Sequence, residues 1–462
     1  MTSVDSSSWS TLHWRRHLET FGQNDAPVLA AGPSGETNSM CHLGEVTDKG
    51  RETTLALGQR LRRLYVDQLK YLPPIISNAN MIYLRATPMP RALDSVQQTF
   101  WGLYPLNART ASFPAPAIVT RTPQDETLHP NDAPCKRLAQ LTSAFADRCA
   151  DRWNDSPEMK YLSQKLTKWM PRQQVVAVDG HPRMSGIMDT VNATLAHGPE
   201  TRLPSEFYDR RARDIIDKIA SEEWFEGYRQ SHEYRTLGIG ALAGDVVERM
   251  VSRVEHSGND GHSEVHDKKD QLNERRGGKT GMMLGLSGCH DTTLAALLTS
   301  LGAFDGQKWP PYTSHVAIEL FRDSPPKNTP DGSLNQSATG DQLGSQNERS
   351  SSTSWLSWLT GGAKPKEAAS EDSARKPLAE LNEAQRRNLK GYYVRVRYND
   401  EPVTVPGCRP EGKHWGNDET FCTLEAFKSV VDKFAPRSWK AECQQNLQAP
   451  PVPEHKQAAG FE

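Results

Sequence analysis

The chain reads as an α/β protein with a helical subdomain inserted into it, and three observations predict this. Short apolar runs are followed by helical patterns, and the middle of the chain is mostly helical. At 462 residues the chain is also long enough for one large α/β unit plus a smaller subdomain. The elements follow in order. Residues 50–72 form an amphipathic helix with Leu57, Leu61, Leu64 and Tyr65 on one face. Residues 81–84 are a short apolar strand; Pro88 and Pro90 follow, then a helical pattern over 91–100. Residues 125–250 are mostly helical and place a helical subdomain in the middle of the fold. Residues 282–286 are a second apolar strand ended by Ser287-Gly288. The helix after it carries Leu294, Leu297, Leu298 and Leu301 at helical spacing and stops at Gly302. Residues 316–321 and 392–398 are two further strands. No internal repeat is apparent.

Hydrophobic residues make up 36% of the chain, low for a compact protein, so part of the length is not core. Residues 256–280 are polar and charged and predict a long surface loop. Residues 323–376 are rich in Ser, Gly, Pro, Asn and Gln, with Trp355, Leu356, Trp358 and Leu359 as their one apolar island. Such a segment cannot bury enough surface to offset its ordering entropy, which predicts a disordered insertion. The expected organisation is then 1–105 and 251–322 as parts of the α/β core and 106–250 as the helical cap. Residues 377–449 close the core, and 450–462 form a disordered tail.

Composition also excludes function classes. Lys+Arg 55 against Asp+Glu 57 gives a net charge of -2, without the basic excess of a nucleic-acid binder. No run approaches the roughly 18 apolar residues of a membrane span. Residues 1–11 are polar and Ser-rich and show no export signal. Seven cysteines lie without a C-x-x-C pair, so no zinc ribbon or other metal site is expected. Cys408, Cys422 and Cys443 cluster near the end and can hold a disulfide. The sequons at Asn154, Asn192 and Asn335 would also suit a secreted chain. Compartment and oligomeric state stay open.

Two strand-to-helix junctions carry residues suited to chemistry, because ligands of open α/β sheets bind where strands end and helices begin. In Tyr83-Leu84-Arg85-Ala86-Thr87 an arginine stands at a strand end; in Gly288-Cys289-His290-Asp291-Thr292-Thr293-Leu294 a His-Asp pair opens a helix. An arginine fork, an imidazole and a helix amino terminus together favour a phosphate or carboxylate, and an adjacent carboxyl group can protonate a leaving oxygen. The alternative is structural: Arg85 in a salt bridge and Asp291 as a helix cap.

These motifs resemble the histidine acid phosphatases, branch 2 of the histidine phosphatase superfamily, and in particular the fungal acid-phosphatase-like and lysophosphatidate-phosphatase-like members. The carboxyl-side resemblance runs through His290-Asp291-Thr292-Thr293-Leu294, Leu301-Gly302, Trp309-Pro310-Pro311-Tyr312 and Glu319-Leu320-Phe321. The amino-side landmarks are Gly44-Glu45-Val46-Thr47-Asp48-Lys49-Gly50, Leu57-Gly58, Leu61-Arg62, and Tyr83 to Thr87 with Arg91. The resemblance implies a three-layer core of the phosphoglycerate-mutase type with an inserted helical cap. It implies hydrolysis of a small phosphomonoester through a phosphohistidine, without metal or other cofactor. By motif, Arg85 would clamp the phosphate, His290 would contact it, Asp291 would donate the proton, and Arg91 would be structural.

One family landmark is absent. The nucleophile of the family lies in an Arg-His-Gly-x-Arg-x-Pro motif at the end of an apolar first strand, ahead of Gly44. The only Arg-His pair there is Arg16-His17, followed by Leu18, Glu19, Thr20, Phe21 and Gly22, without the glycine, second arginine or proline. The expectation is a chain that has lost its first strand and is inactive as written. The alternative is a non-catalytic phosphate-ligand or scaffold relative of the same fold. If Arg85 and His290 serve one phosphate, they must line one pocket, with an empty side where the nucleophile strand belongs.

Other signals are set aside on physical grounds. Gly277-Gly278-Lys279-Thr280 resembles the end of a phosphate loop, but its first glycine position is Asn273 and a strand, not a helix, follows. A metal-dependent His-Asp phosphohydrolase would need companion ligands that no motif supplies. His256, His262 and His266 sit in a solvated loop, and Cys289 reads as a small buried residue at a strand end.

Overall fold

The computed structural model describes residues 19–21, 27–31, 35, 37, 44–255, 282–304, 308–323 and 374–461. The two polar insertions expected at 256–280 and 323–376 lie almost wholly outside the described residues, as do His17 and the histidines and tryptophans of those stretches.

After a small hairpin (β1, Glu19–Phe21; β2, Pro27–Leu29), the first helix is α1, Asp48–Leu61, capped by the Thr47 side chain and prolonged as a π-helix over Arg62–Gln68. Strand β3 (Ile82–Ala86) follows, then α2 (Pro90–Leu103), which starts on a proline as a first helical turn permits. Helices α1 and α2 cross at a glycine pair. A Cβ on Gly58 would lie 2.0 Å from the Thr99 carbonyl oxygen, and one on Gly102 would lie 2.2 Å from that of Leu55. Strand β4 (Ile118–Val119) leads into the cap.

The cap consists of α3 (Lys136–Trp153), α4 (Pro157–Leu166), α5 (Met184–His197) and α6 (Arg210–Gln230), around a core of its own that includes Trp153, Leu162, Ile187 and Ile219. Helix α7 (His232–Arg235) continues through a π-turn into α8 (Ala241–Glu255). The chain then returns to the sheet with β5 (Leu284–Gly288), α9 (Asp291–Ser300) and β6 (Val316–Arg322). It closes with α10 (Glu383–Leu389), β7 (Tyr392–Tyr398), β8 (Glu401–Val403), β9 (His414–Trp415), β10 (Asp418–Thr423), α11 (Leu424–Asp432) and α12 (Trp439–Glu442).

The architecture is the predicted three-layer α/β core. Strands β4, β3 and β5 form a parallel sheet in that order. Strands β6, β7, β10 and β9 form an antiparallel sheet, with β8 also on β7. Ile82, Leu84 and Ala86 share one apolar cluster with α1 and α2. On the other face Arg249 of α8 stands over the Tyr83 ring, and Val394 and Val396 pack with α8, α9 and α11.

One sequence expectation needs correction, and the open cysteine pairing is resolved. Residues 450–461 are not a disordered tail but an ordered strap along the cap. Arg137, 1% exposed, donates to the carbonyls of Ala449 and Pro450, and Arg235 donates to that of Gln457. These charge-assisted bonds to buried arginines offset the ordering entropy that composition alone counts against the segment. Cys443 pairs outside its cluster, with Cys135, 308 residues earlier in sequence, while Cys408 pairs with Cys422. The sequons at Asn154 and Asn192 are engaged in the fold: the Asn154 amide bonds Asp179 and the Val178 N–H, and Asn192 lines the central cavity.

Candidate active site

The parallel pairing of β3 with β5 sets the site. Arg85 stands opposite Ser287 and Ala86 opposite Gly288, so both strands end side by side. Gly288 lets the end of β5 pack closely on α2, because a Cβ there would lie 2.4 Å from the Ala92 carbonyl oxygen. Two residues further on, His290 caps α9; its N–H donates to Thr293 Oγ1, which itself donates to the Leu128 carbonyl. His290 Nε2 lies 3.0 Å from Thr87 Oγ1, just past the end of β3. Asp291 opens the helix; its Oδ1 accepts the Thr292 N–H and its Oδ2 accepts the Trp309 indole N–H at 2.5 Å.

All three expected site residues, Arg85, His290 and Asp291, line one cavity of about 2520 Å³ between core and cap. The Gly44–Gly50 landmark borders the same cavity, as does Arg91. Arg91 is exposed there, its charge acts on both His290 and Asp291, and Gly44 Cα, at φ +82°, leaves room for its guanidinium. Arg91 thus lines the site, although a structural role was expected for it.

Arg85 also realises the structural alternative. It is 3% exposed; Nη2 donates to Glu126 Oε1 at 2.7 Å, and Nη1 lies 3.7 Å from Asp245 Oδ2. Asp245 is shared with Arg121, and Glu126 also accepts the Leu128 N–H. Among the described residues Arg85 Nε is buried with no hydrogen-bond partner. A held arginine with one unused donor is suited to receive an oxygen ligand in a fixed orientation.

Burial tunes the pair at the start of α9. Desolvation, with the nearby charges of Arg91 and His129, lowers the His290 pKa to about 4, so its imidazole is neutral at neutral pH. Desolvation raises Asp291 from its ordinary value, against the opposing Trp309 and Thr292 bonds, and Asp189 adds to the rise. A carboxyl group held towards its protonated form beside an imidazole is the arrangement a general acid requires. Cys289, between β5 and His290, has its thiol pushed up to about 12 by burial, which removes it as a nucleophile.

Thr87, within the Tyr83–Thr87 motif, also reaches the site, and three residues that carry no readable motif join it: Glu126, His129 (ring centroid 5.6 Å from that of His290) and Asp189. Asp189 comes from the cap and accepts the Tyr312 hydroxyl at 3.0 Å. The run Asp125-Glu126-Thr127-Leu128-His129 is the nearest thing to a sequence signal for two of them. No three His, Cys, Asp or Glu side chains among the described residues group to hold a metal ion.

The cavity continues between the two sheets. Among the described residues β5 pairs only with β3, and β6 pairs only with β7. Every residue of Leu284–Gly288 and of Val316–Arg322 lines the cavity. The two strands are therefore the facing edges of an open slot that begins beside His290.

Comparison with known proteins places these features. Residues 6–337 match the model of the histidine phosphatase superfamily (branch 2). The chain is 36% identical over 438 residues to a probable acid phosphatase of Schizosaccharomyces pombe, across 94% of this chain and 83% of that protein. It is 24% identical over 283 residues to human lysophosphatidic acid phosphatase type 6, across 60% of this chain and 57% of that protein. Among solved structures it resembles the phytase of Citrobacter braakii, with a TM-score of 0.49 and 12% identity over 90% of this chain and 93% of that one.

Proposed function

The chain belongs to the histidine phosphatase superfamily, branch 2, and from this we propose that its cavity binds a small phosphomonoester for acid-phosphatase-type hydrolysis. The observation that carries the reading is the convergence of Arg85, His290 and Asp291 on one cavity at adjacent strand ends. Arg85 Nε, the α9 amino terminus and Arg91 supply positive potential for the phosphate, and His290 supplies a further contact to it. Asp291, held towards its neutral form, gives its proton to the leaving alkoxide oxygen. The bond to phosphorus would form at an imidazole nitrogen as the ester bond breaks, and water would then release phosphate and restore the imidazole.

A second reading has its own observation. The chain contains no Arg-His-Gly-x-Arg-x-Pro motif, and the slot beside His290 is open. A protein that keeps the phosphate contacts without a nucleophile binds a phosphorylated ligand and does not turn it over. Losing the nucleophile of a covalent mechanism removes several orders of magnitude in rate.

Calorimetry with inorganic phosphate, alongside turnover of p-nitrophenyl phosphate, tests both readings. We expect phosphate binding that weakens about tenfold or more in Arg85→Gln and His290→Gln. Binding untouched by both substitutions would remove the site. Negligible turnover by the chain as it stands, with activity in a version carrying the motif on an added apolar strand, supports the enzyme; a folded motif-bearing version that binds phosphate yet stays inert leaves the binding protein. In an active version, Asp291→Asn should slow esters with poor leaving groups most; equal loss on activated esters would rule out proton donation.

A further inference from the structure

We propose that Trp309 is a positioning residue for the proton donor: its indole N–H holds the Asp291 carboxyl, and its ring ties that carboxyl to helix α6 of the cap. The contact is geometric; its catalytic consequence rests on the phosphatase reading.

Residues 309–313 join core and cap. Trp309 Nε1 donates to Asp291 Oδ2 at 2.5 Å. The centroid of its ring lies 4.8 Å from that of Phe225 and, edge-on, 6.0 Å from that of Trp224, both on α6. Trp309 packs against the cap's own apolar cluster and against the larger one that includes Leu297 and Leu298 of α9. Three residues later the Tyr312 hydroxyl donates to Asp189 of α5, and Thr313 Oγ1 lies 2.8 Å from Thr53 Oγ1 of α1. Between these anchors Pro310 and Pro311 each fix φ, which stiffens the link from one cap contact to the other.

The two oxygens of Asp291 are held by different parts of the fold. Oδ1 accepts the Thr292 N–H of its own helix, and Oδ2 accepts the indole N–H from the segment clamped to the cap. Two donors on opposite oxygens set the plane of the carboxyl, and so the direction in which its proton points. When that proton passes to the leaving alkoxide oxygen, a carboxylate remains, and a neutral donor such as the indole favours this charged form. Burial keeps the proton on Asp291 while Trp309 opposes burial, so the indole eases release of a proton that the site retains. Arg91 of α2, Asp189 of α5, Tyr312 and Cys289 share the carboxyl's field, and His290 adjoins it with His129 beside. A shift of α6 would carry the indole with it, so the seating of the cap enters the proton transfer.

Nitrogen-15 labelling of the tryptophans tests the contact in the chain as it stands. The indole N–H signal lost in Trp309→Phe should move with pH in one step, with its midpoint above the 3.8 of a free aspartate. That step should survive in His290→Gln and vanish in Asp291→Asn. A signal that does not titrate, or a step that survives Asp291→Asn, overturns the proposal. Phe225→Leu keeps the indole and removes its ring partner, and it should move the midpoint; an unmoved midpoint overturns the tie to the cap.

In a motif-bearing, active version Trp309→Phe keeps most of the packing and drops the donor. Turnover of alkyl phosphates should fall about tenfold with KM nearly unchanged, as for one bond to a charged group. The alkaline limb of the pH profile should also move up, because the carboxyl then ionises at higher pH. Equal loss on p-nitrophenyl phosphate, or an unmoved limb, overturns the catalytic role and leaves Trp309 a packing residue. The two readings fail separately. An indole step in a chain that binds no phosphate keeps Trp309 on Asp291 and removes the phosphatase; phosphate binding without the indole step removes Trp309 and keeps the site.

Discussion

At His290 and Asp291 one physical cause acts in two directions. Burial disfavours whichever form is charged, so it lowers the imidazole and raises the carboxyl. Both shifts favour the uncharged form of the group, imidazole in one case and carboxylic acid in the other. The consequence for stability follows from the His290 value of about 4 against 6.5 for a free imidazole. Between those values the unfolded chain binds a proton that the folded chain refuses, so stability falls as pH drops from 6.5 to 4, by up to about 3 kcal/mol from this group. Above pH 6.5 it contributes no slope. Asp291, shifted upward, acts with the opposite sign just above its free value, and His315 acts with the same sign as His290. Urea midpoints at pH 7 and 4.5 should therefore converge in His290→Gln relative to the parent; an unchanged gap would show that the imidazole is not desolvated. Both residues could be picked from sequence because a strand end followed by a polar helix start is a local pattern. Glu126 could not, since its importance comes from meeting Arg85 across 41 positions.

At the scale of elements, apolar runs and helical spacing located α1, α2, β3, β5, α9, β6 and β7, whose patterns are long enough to stand out. Shorter strands escaped: β4 has two residues, and β10 reads Asp-Glu-Thr-Phe-Cys-Thr, without a sustained apolar side. Such strands exist because a neighbour supplies the ladder, a contact that no local window contains. The α1–α2 crossing is of the same kind. Leu57 and Leu61 announce the buried face, but only the packed pair explains why Gly58 stands between them. We expect Gly58→Ala to cost about 2 kcal/mol or more, since the added carbon meets backbone that cannot step aside. A denaturation midpoint equal to the parent's would mean that the helices can separate at little cost.

At the scale of the molecule, the cap and the end of the chain are one mechanical unit. The Cys135–Cys443 bond joins the start of α3 to the end of α12, and Arg137, the second residue of α3, holds both Glu233 of α7 and the strap at Ala449 and Pro450. A cross-link spanning 308 positions restricts the unfolded chain strongly, by about 6 kcal/mol in the chain-entropy account. Cys135→Ser with Cys443→Ser should lower the midpoint of unfolding well below that of the parent and free residues 450–461 to proteolysis. Retention of both the midpoint and the protease resistance would show that Arg137 and Arg235 alone hold the strap.

The sequence by itself determined the fold class, the family, the strand-end positions of Arg85, His290 and Asp291, and the absence of the nucleophile motif, because each is written in local pattern. Tertiary structure alone decided that those three residues share a cavity, that Arg85 is already paired with Glu126, that Cys443 reaches back to Cys135, and that the polar tail is ordered. The division has one reason: propensity and periodicity act over a few residues, whereas burial, ion pairing and strand pairing depend on partners that only folding brings together.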